Sequence, residues 1–160
     1  MSASASGVTP TAQIPRALNG RLVDADGKPV TLGAEGSVVP KYYLFYYSAS
    51  WCGPCVAFTP ELVRFYNRMK VSNPDFVVVL VPSDQSAEDA LSYMEKARMS
   101  FPGVDYDKMN RPGIPGNPGN SIPAMRLTDE NGVDLLTTAD TPRSKFLDAT
   151  HKLITAKSGS

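Results

Sequence analysis

Cysteine and histidine are scarce in this sequence: two cysteines and one histidine occur among 160 residues. Two cysteines cannot form the set of disulfides that stabilises a small secreted scaffold. A tetrahedral zinc site that used both cysteines would need two further ligands, and His151 is the only histidine that could supply one. We therefore expect neither a bound metal ion nor another cofactor.

An excess of charge of one sign is also lacking, because 16 basic residues balance 16 acidic ones. No basic surface is expected to attract nucleic acid or an anionic membrane, so neither is a predicted partner. The longest apolar run, residues 76–82, is far shorter than the roughly 20 residues that a membrane-spanning helix needs. We expect no membrane span, and a single monomeric domain.

The chain begins with small polar residues that have neither the basic region nor the apolar region of a signal peptide. As written, this start predicts a cytoplasmic protein. A Ser- and Ala-rich start would also remain after removal of a leader, which would fit the periplasm, so the compartment stays open. Residues 1–15 are predicted to be a disordered lead-in, and residues 16–157 the folded domain.

Strand-like and helix-like segments alternate along the rest of the chain, which predicts an α/β domain with a parallel core. Asp26 and Gly27 separate two short β-like pieces and predict an N-terminal hairpin. Residues 101–120 contain four prolines and four glycines and are predicted to be a loop. The other predicted strands are residues 42–47, 76–81, 124–128 and 133–136, and the predicted helices are residues 56–70, 87–98 and a terminal helix that includes 146–154.

The two cysteines lie in the motif Trp51-Cys52-Gly53-Pro54-Cys55, between the strand at 42–47 and the helix at 56–70. This spacing fits a dithiol that cycles with a disulfide, a structural bridge or half of a metal site. Haem attachment would require a histidine where Val56 stands. A thiolate at the start of a helix meets unpaired N–H groups and the positive end of the helix dipole, and both lower its pKa. The position of the motif therefore favours the redox dithiol.

Residues 48–55, followed by Phe58-Thr59-Pro60-Glu61-Leu62, resemble the active site of the thioredoxin superfamily, and most closely its tryparedoxin and nucleoredoxin branch. The resemblance implies a thioredoxin-like fold, with a central mixed sheet and helices on both faces. The N-terminal hairpin would be an extension of that fold. It also implies that Cys52 attacks a substrate disulfide, that Cys55 resolves the mixed disulfide, and that the two cysteines then form a disulfide.

Further residues of the substrate site follow from the same motif and the same resemblance. Trp51 would supply an apolar platform, and Gly53 would let the backbone of a partner approach. Proline is tolerated at position 54 because the first helical turn does not need its backbone N–H. In the superfamily, a cis-proline faces the dithiol and follows a residue that pairs with the substrate chain. The resemblance assigns these two positions to Pro123 and Ile122.

The proton acceptor for the second step is not evident from the sequence. Thioredoxins proper carry a buried acid six positions before the first cysteine, whereas this sequence has Tyr46 there. Asp84 follows the strand at 76–81, at the carboxyl edge where the sites of parallel sheets form. It is therefore the candidate acid or base, with capping of a turn as the alternative.

The function predicted from these residues is that of a thiol-disulfide oxidoreductase that reduces protein disulfides, since Gly-Pro between the cysteines resembles the reducing members of the superfamily. Its partners would be protein substrates that contain disulfides, and an upstream thiol donor. Two alternatives stay open: a thiol peroxidase, in which Cys52 attacks peroxide, and a binding module that kept the fold without catalysis.

Overall fold

The computed structural model describes residues 12–34, 36–110 and 112–158. The helices are α1 (Gln13–Leu18), α2 (Gly53–Ser72), α3 (Ala87–Lys96) and α4 (Arg143–Ser158), with a short 3-10 turn at Tyr106–Lys108. The strands are β1 (Leu22–Val23), β2 (Pro29–Val30), β3 (Tyr42–Ser48), β4 (Phe76–Pro82), β5 (Gly103–Val104), β6 (Ala124–Asp129) and β7 (Asp134–Thr137). The strands form one mixed sheet in the order β2-β1-β5-β4-β3-β6-β7.

Two apolar runs form the parallel centre of this sheet. β3 and β4 pair in parallel over seven residues, from Tyr42 opposite Phe76 to Ser48 opposite Pro82. Nearly all of their side chains are buried, as expected for strands that are covered on both faces. The predicted strands at 42–47 and 76–81 are therefore confirmed.

The predicted N-terminal hairpin is present, and the strands predicted at 124–128 and 133–136 pair as a second hairpin. β1 pairs with β2 in antiparallel fashion, and Gly27 in the turn between them has a φ of +79°. β6 pairs with β7, and Asp129 closes that turn because its Oδ1 accepts hydrogen bonds from the backbone N–H groups of Asn131 and Val133. Together with the antiparallel pairing of β3 and β6, these hairpins extend the parallel centre into a mixed sheet.

The helix after the cysteine motif begins earlier than its periodicity predicts. α2 starts at Gly53 rather than at residue 56 and ends at Ser72, just before Asn73 and Pro74. Its buried residues are Cys55, Phe58, Thr59, Leu62, Phe65, Tyr66 and Met69. α3 begins as predicted, because Ser86 caps it by accepting a hydrogen bond from the backbone N–H of Asp89.

The predicted lead-in extends too far. Residues 13–15 belong to α1, whose Ile14 is buried and donates its backbone N–H to the carbonyl oxygen of Glu130 at 2.8 Å. The burial of Ile14 and its hydrogen bond to the β6–β7 turn thus order a segment whose composition is typical of disordered chains. Residues 1–11 of the predicted lead-in lie outside the described residues. The predicted domain limits, residues 16 and 157, stay a prediction.

The loop predicted at residues 101–120 is partly structured. It contains β5, which links β4 to β1, and the 3-10 turn at Tyr106–Lys108. Gly103 fits into β5 because a Cβ atom there would lie 3.1 Å from Sδ of Met94. A glycine that usually interrupts a strand is required here by close packing.

Neighbouring side chains of β3 reach different parts of the chain, because successive residues of a strand point to opposite faces. Tyr46 contacts α2 through its hydroxyl, whereas Tyr47 contacts Pro115. The active-site helix and the proline-rich segment therefore cover opposite faces of the sheet. No helix in the described part of the chain is both long and apolar enough to cross a membrane.

Candidate active site

The two cysteines lie where β3 gives way to α2. Cys52 is the N-cap of α2, and Cys55 lies in the first turn, with a Cα–Cα distance of 5.2 Å and a disulfide between them. The backbone N–H of Cys55 donates to Sγ of Cys52 at 3.3 Å, and the N–H of Val56 donates to the Cys52 carbonyl oxygen at 3.0 Å. The second of these is the ordinary backbone bond that begins the helix, whereas the first directs a backbone N–H at the sulfur of Cys52.

The two cysteine residues differ in accessibility. Cys55 is completely buried, whereas 6% of Cys52 is exposed. Gly53 and Pro54 are exposed beside Cys52, and a Cβ atom on Gly53 would meet no atom within 4 Å. The absence of a side chain at Gly53 leaves open space in front of Cys52, as a substrate backbone would require.

The residues before β6 lie against the cysteines. The peptide bond between Ile122 and Pro123 is cis, as the resemblance implies. The carbonyl oxygen of Ile122 lies 3.8 Å from Sγ of Cys52, and the Ile122 side chain packs on the buried cluster of Ala49 and the two cysteines. Residues 70 positions apart in sequence are thus brought together at one end of the sheet.

Trp51 presents a large apolar side chain at the surface of the motif, with 62% of its surface accessible. Its indole Nε1 donates a hydrogen bond to the carbonyl oxygen of Ser83 at 3.1 Å. This bond fixes one edge of the ring to the segment after β4. The other edge stays free for contact with a partner beside Cys52.

Asp84 is nearly buried next to this site, with 5% of its surface exposed. Its Oδ2 accepts two hydrogen bonds from Ser50, from the backbone N–H at 3.2 Å and from the hydroxyl at 2.5 Å. Its Oδ1 is buried and has no hydrogen-bond partner among the described residues. The structure therefore joins Asp84 to Ser50, two residues before Cys52, and leaves one carboxylate oxygen unused.

A buried hydroxyl network beneath Cys55 is not evident from sequence reasoning. The Tyr46 hydroxyl donates to the Cys55 carbonyl oxygen at 3.2 Å and pairs with the Thr59 hydroxyl at 2.9 Å. The Tyr93 hydroxyl joins Thr59 at 2.7 Å and Ser48 at 2.6 Å. One signal was available, since Thr59 lies four residues after Cys55 in the helix and its hydroxyl bonds the Cys55 carbonyl oxygen.

Burial governs the ionisation of Tyr46. Removal of the Tyr46 hydroxyl from water raises its pKa well above the ordinary value of 10.0, and the neighbouring Tyr93 raises it further. Tyr46 is therefore a neutral hydrogen-bond donor over the physiological pH range. The position at which thioredoxins carry a buried acid is here uncharged.

No group of three or more potential metal ligands occurs among the residues that the structure describes. His151 is exposed on α4. The fold and the site together define a thioredoxin-like protein: a mixed sheet, a cysteine pair at the start of a helix, and a cis-proline facing the pair.

Comparison with known proteins supports this class. Residues 40–112 match a family model described as thioredoxin-like. Tryparedoxin of Trypanosoma brucei brucei is 44% identical over 73 residues, which are 46% of this chain and 49% of that protein. Probable nucleoredoxin 1 of Arabidopsis thaliana is 34% identical over 123 residues, which are 72% of this chain and 20% of that protein. The chain therefore spans about half of the tryparedoxin and a fifth of the nucleoredoxin.

A solved structure of tryparedoxin II complexed with glutathionylspermidine aligns with a TM-score of 0.65 and 28% identity, covering 86% of this chain and 95% of that one. The chain belongs to the thioredoxin-like family, and the relatives that it matches include tryparedoxins and nucleoredoxins.

Proposed function

We propose that this protein is a thiol-disulfide oxidoreductase that reduces disulfides in protein substrates. The observation that carries the proposal is the disulfide between Cys52 and Cys55 in the first turn of α2, with the Cys55 N–H directed at Sγ of Cys52. A backbone N–H in this position stabilises a thiolate on Cys52 in the reduced protein. Cys52 is also the one cysteine with an exposed surface.

The reaction follows dithiol–disulfide exchange. In the reduced protein, the Cys52 thiolate attacks one sulfur of the substrate disulfide, a mixed disulfide forms, and the other substrate sulfur leaves as a thiolate that takes up a proton. The Cys55 thiol then loses its proton, attacks Sγ of Cys52 and releases the second substrate thiol. The substrate gains two electrons and two protons, and the protein gains the disulfide between Cys52 and Cys55.

The residues around the dithiol are proposed to bind the substrate backbone. Trp51 would form an apolar contact beside Cys52, and Gly53 and Pro54 would leave room for the incoming chain. Ile122 and Pro123 would present backbone groups on the other side of Cys52. The 3.8 Å between the Ile122 carbonyl oxygen and Sγ of Cys52 supports this role, because a peptide joined to that sulfur must pass beside Ile122.

The direction and the partners belong to the same proposal. The Gly-Pro pair between the cysteines resembles reducing members of the superfamily, so the net flow of electrons is proposed to run toward the substrate. The oxidised protein must then be reduced by an upstream thiol donor. The protein is proposed to act as a monomer on substrates that contain disulfides.

Reduction of insulin, with dithiothreitol as the electron donor, tests this function. The wild-type protein should accelerate the precipitation of the insulin B chain, and Cys52→Ser should abolish the acceleration. Reduced Cys55→Ser that has been freed of dithiothreitol should instead accumulate a mixed disulfide with insulin, detectable by mass spectrometry, because no thiol remains to resolve it. Wild-type protein that fails to reduce insulin but consumes hydrogen peroxide rapidly would favour a thiol peroxidase, and failure in both assays would favour a binding module.

A further inference from the structure

Residues 112–121, here called the rim segment, lead directly into Ile122 at the active site. The segment contains three prolines and three glycines and forms no helix or strand. Because proline lacks a backbone donor and glycine leaves the backbone flexible, such a segment needs contacts from elsewhere to hold one conformation.

Side chains from three parts of the fold bind carbonyl oxygens of the rim segment. The Tyr47 hydroxyl donates to the carbonyl oxygen of Pro115 at 2.6 Å, and Nε of Arg126 donates to that of Gly116 at 3.1 Å. A guanidinium nitrogen of Arg21 donates to the carbonyl oxygen of Pro112 at 3.0 Å. Three separate side chains thus substitute for the missing backbone ladder.

Tyr47 is the most buried of these three donors. Only 3% of its surface is exposed, and burial raises the pKa of its hydroxyl, although the nearby Arg126 guanidinium opposes the rise. Tyr47 therefore stays protonated and able to donate. Arg126 is held in turn by an ion pair with Asp134. The contact between the sheet and the rim segment is thus built from a fixed ring on β3 and a fixed guanidinium on β6.

The rim segment presents an exposed surface next to the substrate position. Gly116, Gly119, Asn120 and Ser121 are exposed, and they offer backbone groups with little side-chain obstruction. Ile122, which follows, lies beside Sγ of Cys52. A polypeptide attached to that sulfur would extend along the rim segment, whereas a small disulfide has no flanking chain to reach it.

We propose that Tyr47, with Arg126, is a positioning residue that holds the rim segment as a docking surface for the polypeptide that flanks the disulfide of a protein substrate. This inference rests on the proposed reductase function and extends it. Tyr47 touches neither the substrate nor the reacting sulfurs and acts through the Pro115 carbonyl oxygen. Its effect should therefore depend on whether the substrate carries a flanking chain.

The test compares two substrates in the same enzyme. Reduced protein is mixed in a stopped-flow instrument with insulin or with bis(2-hydroxyethyl) disulfide, and the fluorescence of Trp51, the only tryptophan, follows oxidation of the neighbouring dithiol. Tyr47→Phe removes one hydroxyl. Tyr43→Phe is the matched control, because Tyr43 lies on the same strand and its hydroxyl donates to another proline carbonyl oxygen, that of Pro40 at 2.8 Å, at the opposite end of β3.

The ratio of the insulin rate to the small-disulfide rate should fall about two- to tenfold in Tyr47→Phe, as the loss of one ordered hydrogen bond implies. It should fall similarly in Arg126→Gln and stay at the wild-type value in Tyr43→Phe. An unchanged ratio in both Tyr47→Phe and Arg126→Gln overturns the inference. A fall in Tyr43→Phe as large as that in Tyr47→Phe overturns it as well. Either result leaves the reductase function intact. Wild-type protein that oxidises with neither substrate refutes the proposed function and this inference with it.

Discussion

The hydroxyl of Tyr46 donates a hydrogen bond to the carbonyl oxygen of Cys55 at 3.2 Å, so the central strand is tied to the first turn of the active-site helix. Thr59 binds the same carbonyl oxygen at 2.8 Å. The neutral phenol of Tyr46 occupies the position of a buried acid in thioredoxins, and it is directed at the backbone of the proposed resolving cysteine. The proton that Cys55 loses must therefore reach another acceptor or the solvent.

The unequal burial of the two cysteines predicts unequal alkylation in the reduced protein. Iodoacetamide should modify Cys52 far faster than Cys55 near neutral pH, because Cys52 combines an exposed edge with the N–H donor of Cys55. Mass spectrometry of peptides after timed quenching would give both rates. Cys52→Ser serves as the control, since its remaining thiol should react slowly. Equal rates at the two positions would contradict the assigned roles.

Asp84 is predicted to affect the chemistry and not only the conformation of Ser50. Asp84→Asn should slow insulin reduction by at least about tenfold at pH 7, because an amide cannot exchange the proton that a general acid or base moves. Ser50→Ala is the matched variant, since it removes the hydroxyl bond to Oδ2 and leaves the carboxylate in place.

The pH profile separates the two roles of Asp84. An acid or base role predicts that Asp84→Asn changes the shape of the profile, whereas Ser50→Ala only lowers its height. Equal losses in the two variants, with profiles of the same shape, would leave Asp84 as the cap of a turn.

The hydroxyl network is predicted to contribute to stability through Thr59, its central member. Thr59→Val keeps the shape of the side chain but removes partners from the hydroxyls of Tyr46 and Tyr93 and from the Cys55 carbonyl oxygen. The free energy of unfolding should fall by about 1–3 kcal/mol in urea denaturation, because three hydrogen bonds of a buried network are lost together. Tyr46 would still bond the Cys55 carbonyl oxygen, and Tyr93 would still bond Ser48.

Tyr66→Phe on the same helix is the control for Thr59→Val. The hydroxyl of Tyr66 takes part in no hydrogen bond with the described residues, so its loss should cost about 0.5 kcal/mol or less. A loss in Tyr66→Phe as large as that in Thr59→Val would show that the network carries no special stability.

The parallel centre of the fold could be predicted from sequence because its strands are continuous apolar runs. Residues 42–47 and 76–81 have no polar alternation, as expected of strands that are covered on both faces. The cysteine motif was equally informative, since its spacing at a strand–helix junction has few uses. Short-range patterns thus identified the centre of the sheet and the location of the dithiol.

Contacts between distant segments could not be predicted in this way. α1 is ordered because Ile14 docks on the β6–β7 turn, and its own composition gives no sign of that anchor. Gly103 lies in a strand because Met94 packs against it, whereas glycine by itself indicates a loop. The hydroxyl network likewise joins Ser48, Thr59 and Tyr93 from three elements. Such partners are set by the tertiary structure.

Buried tyrosines predict that the protein loses stability at alkaline pH. Burial raises the pKa of Tyr43, Tyr46 and Tyr47 above the ordinary value of 10.0, which these groups regain in the unfolded chain. Below pH 10 they are protonated in both states, so their contribution is fully present. As the pH rises above 10, the unfolded chain ionises first, and the free energy of unfolding should fall by about 1.4 kcal/mol per pH unit for each such tyrosine.

Urea denaturation at intervals between pH 9 and pH 11.5 would measure this slope, with absorbance at 295 nm reporting the ionisation of tyrosine in each state. Tyr43→Phe isolates one group, since it removes one titrating hydroxyl from a completely buried position on β3. Its unfolding free energy should start lower, because the hydrogen bond to Pro40 is lost, and should then fall less steeply above pH 10 than that of the wild type. Parallel slopes for the two proteins would mean that Tyr43 ionises equally readily in the folded and unfolded states.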